Sequence, residues 1–260
     1  MPATPSAPGR PGRTSAGVDA YALFLDFDGT LVEIADHPDA VVVDPALVGT
    51  LAALRGRLGG ALAVITGRPI AAIDAFLAPE TFDAAGLHGA ERRVAGQVQD
   101  ARPEPDPRLR RAVESLARRL GGDPALLVED KGLSVAVHWR RAPHRAEEAG
   151  AAVLEAAASL GDAYRLQRGK AVAELVPAAA DKGGVIERFL DADPYQGRRP
   201  VFVGDDLTDE HGFAAVNARG GVSIRVGDGR TSAQATLPTP SDLRRWLRRW
   251  AEGDLVLPPR

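Results

Sequence analysis

Ala22-Leu23-Phe24-Leu25-Asp26-Phe27-Asp28-Gly29-Thr30 is an unbroken apolar run that stops in two carboxylates. Strands buried on both faces, as in a parallel sheet covered by helices, read as continuous apolar runs rather than as alternating ones. The same texture returns at 61–65 (ALAVI), ending in Thr66-Gly67-Arg68-Pro69, and at 200–204 (PVFVG), ending in Asp205-Asp206. A fourth strand of buried type is expected over 221–226 (GVSIRV). Helical segments separate them. Asp44 as N-cap and Pro45 at the first helical position predict a helix to Leu58, Pro69 opens another over 70–77, and 183–190 reads as a third. This alternation predicts an α/β fold with a parallel, helix-covered sheet.

The pattern breaks after Gly86-Leu87-His88-Gly89, and 102–106 (RPEPD) has the composition of a linker. Beyond it the spacing predicts a helix over 108–120, strands at 126–129 and 133–139, a helix over 146–160, and strands at 164–167 and 171–176, with Arg168-Gly169 as the turn of the last pair. Paired strands with helices form an antiparallel α+β layer, so residues 100–178 are expected to be an inserted domain in a core made of 18–99 and 179–260. Residues 1–17, rich in Pro, Ala, Gly and Ser without an apolar stretch, are expected to be a disordered tail rather than a signal or processed arm. Near the C-terminus, Leu243, Trp246, Leu247 and Trp250 form one helical stripe with arginines opposite; the expectation is a helix docked on the core, not one lying on a membrane.

Composition narrows the function classes. The 260 residues contain no cysteine, which removes disulfide scaffolds, thiolate metal sites and thiol nucleophiles. With 32 basic against 35 acidic side chains the net charge is −3, too even for a nucleic-acid or anionic-membrane surface. No run approaches the length of a membrane span. A cytoplasmic, monomeric protein acting on a small molecule is expected.

Three apolar strands end in polar groups: Asp26 and Asp28, then Thr66, then Asp205, Asp206 and Asp209. Ligands of open α/β sheets bind outside the carboxyl ends of the strands, where the strand order reverses, so these groups are expected in one crevice. Several carboxylates packed together require a cation, and hard oxygen donors without cysteine favour Mg²⁺. A metal-anchored carboxylate with a second acid, a hydroxyl and a lysine beside it is equipment for moving a phosphoryl group. Lys182, in Asp181-Lys182-Gly183-Gly184 at a helix start, is the only lysine outside the predicted insert. Taken singly each piece has an ordinary use as a turn, a cap or a surface charge. The order DFDGT, TGR, DKGG, GDDLTDE, mostly behind buried strands, is what singles them out together.

With that order of motifs the sequence resembles the haloacid dehalogenase superfamily. The resemblance implies a Rossmann-like core of that type with an inserted cap, and hydrolysis in two steps through an aspartyl phosphate. It implies that Asp26 is the nucleophile and that Asp28 is the acid that protonates the departing oxygen and then deprotonates water. Thr66 and Lys182 match the groups that hold the phosphoryl oxygens. The metal falls to the Asp26 carboxylate, the Asp28 backbone carbonyl and, by position, Asp205, with Asp206 and Asp209 in support. Phe27, Gly67 and Arg68 lie in the stretches that touch the phosphate.

The insert sits where the superfamily places the cap that excludes water and reads the leaving group. DFDGTLVEIADHPD, GLHGAERR, SVAVHWR, GKAVAELVPAAADKGG and VFVGDDLTDEHGF together resemble the trehalose-6-phosphate phosphatase family over most of 21–217. The implied substrate is trehalose 6-phosphate, and Glu129, Lys131, Arg140, Lys170 and Glu174 match positions of sugar recognition. Lys170 and Glu174, four apart on an extended segment, are expected to share a face. His88 and His138 read as structural hydrogen-bonding residues. Val176 stands where the family often has arginine. Sucrose 6-phosphate or mannosyl-phosphoglycerate phosphatases are the alternatives within this chemistry. A catalytically silent sugar-phosphate-binding module is the alternative outside it, and the complete set of acids speaks against that.

Overall fold

The computed structural model describes residues 20–100, 104 and 106–254. The tail expected at 1–17, and all of the linker at 102–106 except Glu104 and Asp106, lie outside the described residues. The first half of the core runs β1 (Tyr21–Leu25), α1 (Pro45–Arg57), β2 (Leu62–Ile65), α2 (Ile70–Leu77), β3 (Asp83–Gly86), β4 (Glu91–Val94) and β5 (Gln97–Asp100). A separate unit follows: α3 (Pro107–Leu120), β6 (Leu127–Asp130), β7 (Val135–His138), α4 (Ala146–Leu160), β8 (Tyr164–Gly169) and β9 (Val172–Pro177). The core then resumes with α5 (Lys182–Leu190), β10 (Arg199–Gly204), α6 (Glu210–Ala218), β11 (Val222–Val226), β12 (Ala235–Leu237) and α7 (Pro240–Ala251).

The large sheet has the order β12-β11-β10-β1-β2-β3-β4-β5, parallel from β12 to β3 and antiparallel at β4 and β5. The chain leaves β1 toward β2 and returns on its other side at β10, so β1 marks the reversal of strand order and the crevice for a ligand opens at its carboxyl end. Every residue of β1 is buried, as the unbroken apolar run requires. Phe24 stacks on Tyr195 at 5.4 Å between ring centres and meets Phe189 at 5.7 Å, fixing α5 to the strand that carries the first acids.

Helix starts follow their capping signals. Asp44 accepts the Ala46 amide at 2.8 Å, Asp106 the Arg108 amide at 2.8 Å, and Asp181 the Gly183 and Gly184 amides at 3.2 and 2.8 Å. The stripe on α7 is inside: Trp250 is fully buried and meets Tyr21 edge-on, while Arg244 on the opposite face pairs with Glu33. This is the core-docked helix that the spacing predicts. Among the described residues no helix is long and apolar enough to cross a membrane.

The second sheet, β6-β7-β9-β8, is antiparallel throughout. Its two faces separate by the period of two along each strand. Val135, Val137, Ala173 and Leu175 pack with α3 and α4 in a second apolar cluster. The opposite face carries a cross-strand row, Glu129 opposite Ala136, Ala136 opposite Glu174, and Glu174 opposite Gln167. The small Ala136 keeps the space between the two glutamates clear. The hairpin between β8 and β9 turns at Lys170-Ala171 rather than at Arg168-Gly169, since Gly169 still pairs with Val172; Ala171 takes the positive φ of 61°. Lys170 is therefore at a hairpin tip and not on a strand. Strands β3, β4, β5 and β12 had no distinct apolar run in the sequence, and none is predicted from it.

Candidate active site

The carboxyl ends of β1, β2 and β10, the start of α5 and the polar face of the second sheet enclose one cleft, lined among others by Asp26, Thr66, Lys182, Asp205, Lys131 and Glu174. Asp26 follows β1 directly, and its amide donates to the Val203 carbonyl at 2.9 Å, which locks the loop to β10. Its two carboxylate oxygens accept from Lys182 Nζ at 2.8 Å and Thr30 Oγ1 at 3.0 Å. Burial pushes the Asp26 carboxyl well above the ordinary aspartate value; Lys182 opposes this, and the charges of Asp209 and Asp205 reinforce it.

Lys182 is the first residue of α5 and is almost wholly buried. Burial alone would lower its pKa, but Asp209 and Asp26 outweigh that, and the ammonium is held charged. It donates to Asp209 Oδ1 at 2.6 Å as well as to Asp26. The other oxygen of Asp209 accepts the amides of Asp205 and Asp206, both at 2.9 Å. Asp209 thus ties the loop after β10 together and has both oxygens engaged by the protein.

Asp205 is held more loosely, by Thr30 Oγ1 at 3.3 Å and by Lys170 Nζ at 3.4 Å from the hairpin tip. Burial and the Asp209 charge push its carboxyl up to about 6. Asp26, Asp205 and Asp209 each offer one carboxylate oxygen, all within 4.8 Å of one another. Gly29, at φ 79°, is required here: a Cβ would lie 2.3 Å from Asp205 Oδ2. Buried carboxylates crowded to this degree, one of them poorly compensated, fit a hard divalent cation. Asp206 lines the cleft but caps its own turn through the Leu207 amide at 2.7 Å.

Thr66, at the end of β2, is buried; its hydroxyl oxygen accepts the Arg68 amide at 3.1 Å, leaving its own proton to donate. Arg68 grips Asp28 with two hydrogen bonds of 2.7 Å. Its guanidinium also lies 5.0 Å from the Phe76 ring centre and 5.8 Å from that of Phe27. The Phe27 side chain is fully buried in the core, so no side-chain contact with the phosphate is open to it.

On the cap side Glu174 Oε1 accepts from Ser134 Oγ at 2.7 Å and Lys131 Nζ at 3.1 Å, and Oε2 lies 3.3 Å from His88 Nε2. Burial opposes the Glu174 charge, but Lys131, His88 and Ser134 outweigh it and hold the carboxyl far below the ordinary range. Glu129 pairs with His138 Nε2 at 2.8 Å, and Arg140 donates to the Lys170 carbonyl at 2.8 Å. Glu129, Lys131, Arg140, Lys170 and Glu174 all border the cleft. Lys170 and Glu174 reach it separately, one toward Asp205 and the other toward Lys131.

Several cleft residues escaped the sequence reading. Ile34 to Pro38 and Ser134, which supports Glu174 from behind the cleft, lie inside the quoted stretches but were given no role, and Val41 and Gln167 lie in no quoted stretch. Gln167 is legible only through its register opposite Glu174. Thr30 was visible in DFDGT, but its bridging of Asp26 and Asp205 was not. Across from Val176 lies Arg165, which donates to Gln167 Oε1 at 3.0 Å and to the Ala180 carbonyl at 2.6 Å.

Residues 24–241 match the model of the family described as trehalose-phosphatase. The chain belongs to the trehalose-phosphatase family. It is 42% identical to a probable trehalose-phosphate phosphatase of Sinorhizobium fredii over 228 residues, 87% of this chain and 85% of that one. It is 40% identical to the trehalose-6-phosphate phosphatase of Escherichia coli over 227 residues, again 87% and 85% of the two chains. A crystal structure of a trehalose-6-phosphate phosphatase related protein superposes with a TM-score of 0.74 at 25% identity, covering 89% of this chain and 97% of the other. The Rossmann-like core with an inserted α+β cap is thus the architecture of this trehalose-phosphatase family member.

Proposed function

We propose that the protein hydrolyses trehalose 6-phosphate to trehalose and phosphate, with Asp26 as nucleophile and residues 100–178 acting as the cap that reads the disaccharide. The observation that carries this reading is the joining of two sites in one cleft: a nucleophile–lysine–acid cluster at the end of β1, and a fixed polar row on the cap sheet facing it.

Asp26 attacks phosphorus, an acyl phosphate bond forms, and the bond from phosphorus to the sugar oxygen breaks. Asp28, two residues on, gives a proton to the departing oxygen, for which one of its oxygens exchanges its Arg68 hydrogen bond for that proton, and then takes one from the water that attacks the acyl phosphate, which restores the Asp26 carboxylate and frees phosphate. Lys182 has spent two of its three protons on Asp26 and Asp209, leaving the third for a phosphoryl oxygen. Thr66 donates its free hydroxyl proton to another. Asp26 and Asp205 are the side chains that would hold Mg²⁺, since Asp209 already accepts three hydrogen bonds, from Lys182 and two backbone amides, against two at Asp26. Bound there, the ion offsets charge on the phosphoryl oxygens.

Glu129, Lys131, Lys170 and Glu174 supply charged partners for the many hydroxyls of a disaccharide, which suits a sugar ester better than a small one. The test is brief reaction with trehalose 6-phosphate labelled in the phosphate, followed by acid quenching. Label is expected as a base-labile acyl phosphate on the peptide containing Asp26; label on another peptide, or none while phosphate is released, contradicts the assignment.

A further inference from the structure

His88 belongs to the core by its backbone and to the cap by its ring. Its amide donates to the Thr66 carbonyl and the amide of Leu87 to the Arg68 carbonyl, both at 3.0 Å, so the two loops that border the phosphate end of the cleft are stitched together. Both residues hold left-handed backbones, at φ 50° for Leu87 and 57° for His88, a conformation non-glycine residues adopt only where the surroundings impose it. The imidazole lies against Gly67, where a Cβ would fall 2.6 Å from Nε2. From there Nε2 reaches Glu174 across the cleft at 3.3 Å, and Gln167 Nε2 lies 3.4 Å away. Nδ1 is buried with no hydrogen-bond partner among the described residues. The Gln167 amide nitrogen can only donate, but the charged Glu174 carboxylate lies nearer Nε2 and Nδ1 has no partner among the described residues, so the neutral ring with its proton on Nε2, directed at Glu174, is selected.

The two oxygens of Glu174 are served from different sides. Oε1 takes Ser134 and Lys131, both cap residues, while Oε2 faces His88 from the core. Bonds to one oxygen alone leave a carboxylate able to pivot; a donor on the second fixes its plane.

We propose that His88 is a positioning residue for leaving-group recognition: a core side chain, anchored to the Thr66 loop, whose Nε2–H fixes the plane of the cap carboxylate Glu174. The phosphate-binding loop and the sugar-reading sheet are thereby set in register through one imidazole. This inference rests on the function proposed above for the choice of ester and for Glu174 as a contact of the leaving group.

The test compares H88N, H88Q and the wild type. Asparagine tolerates the left-handed backbone but is too short for its amide to reach Glu174, whereas the glutamine amide extends about as far as Nε2. The readout is the ratio of kcat/KM for the sugar ester to kcat/KM for p-nitrophenyl phosphate, whose leaving group has no hydroxyls to be read. H88N is expected to lower this ratio about tenfold, the scale of a lost hydrogen bond to a charged group, and H88Q to restore most of it. A ratio within twofold of wild type in H88N overturns the proposal, whether both esters fall together or neither does. The wild type's own preference among sugar phosphates tests the substrate reading separately, and its preferred sugar ester is the one used in the ratio. A measurement independent of turnover is ¹⁵N NMR of the ring, assigned with H88N: a neutral Nε2–H tautomer at pH 7 is expected, and an Nδ1–H tautomer overturns the proposal.

Discussion

Arg68 Nε donates to Asp28 Oδ2 and Arg68 Nη2 to Asp28 Oδ1, each at 2.7 Å, while the guanidinium rests against Phe76 and Phe27. A planar fork on a carboxylate fixes direction as well as charge, which a lysine at the same place does not. Arg68→Lys is therefore expected to lower kcat about tenfold by loosening the orientation of the Asp28 carboxyl. Steady-state kinetics on trehalose 6-phosphate check this, and an unchanged kcat would show that the fork does not orient the acid.

Lys182 compensates two buried carboxylates at once. Lys182→Met leaves Asp26 and Asp209 without a counter-charge, and breaking a buried pair in this way costs about 3–5 kcal/mol. Urea unfolding should show that loss. The double variant with Asp209→Asn should recover part of it, because one of the orphaned charges is then gone.

The metal-free protein should depend on pH through Asp205, whose carboxyl sits at about 6 when folded. A folded value above the unfolded one means the folded state holds the proton longer. This stabilisation is complete below the ordinary aspartate range and is lost as pH rises through about 6. A divalent cation competes with that proton. The rise in Tm caused by Mg²⁺ should consequently be larger at pH 7.5 than at pH 5, and Gly29→Ala, which pushes into Asp205, should abolish it. An equal Mg²⁺ shift at both pH values would count against Asp205 as a ligand.

Glu174 acts with the opposite sign. Lys131, His88 and Ser134 overcome the cost of burial and keep its folded carboxyl far below the unfolded range, so its contribution is present at neutral pH and is lost as pH falls below the ordinary glutamate range. Glu174→Gln should be less stable than wild type at pH 7, and the gap in Tm should begin to narrow as pH falls below the ordinary glutamate range. A gap that stays constant would mean the residue stabilises by packing rather than by charge.

The parallel half of the core was legible because burial on both faces leaves a plain mark: β1, β2 and most of β10 are apolar runs, and the polar groups at their ends converge because the sheet brings carboxyl ends together. β3 reads Asp-Ala-Ala-Gly and β12 is three residues long, so neither carries an apolar run to find. β4 and β5 form a half-exposed hairpin rich in Arg and Gln. Asp26, Asp28, Thr66 and Lys182 could be named from short motifs, whereas the pairing of Asp28 with Arg68 spans 40 positions and that of His88 with Glu174 spans 86. The first pair is set by the pairing of β1 with β2 and the second by the docking of cap on core, neither of which a local pattern encodes. The Lys170 turn was misplaced by two residues because Arg168-Gly169 looks like a turn, yet Gly169 is needed in the strand, where a Cβ would come 2.9 Å from Val172 Cγ1 and 3.2 Å from Asp206 Oδ2.

The most direct measurement is phosphate release from trehalose 6-phosphate, with Mg²⁺ and with EDTA, beside glucose 6-phosphate and sucrose 6-phosphate and with Asp26→Asn as the blank. Mg²⁺-dependent turnover that strongly prefers trehalose 6-phosphate and vanishes in the blank is the predicted result. Equal turnover of all three esters would contradict the role assigned to the cap, and turnover surviving in Asp26→Asn would contradict the nucleophile on which the whole mechanism stands.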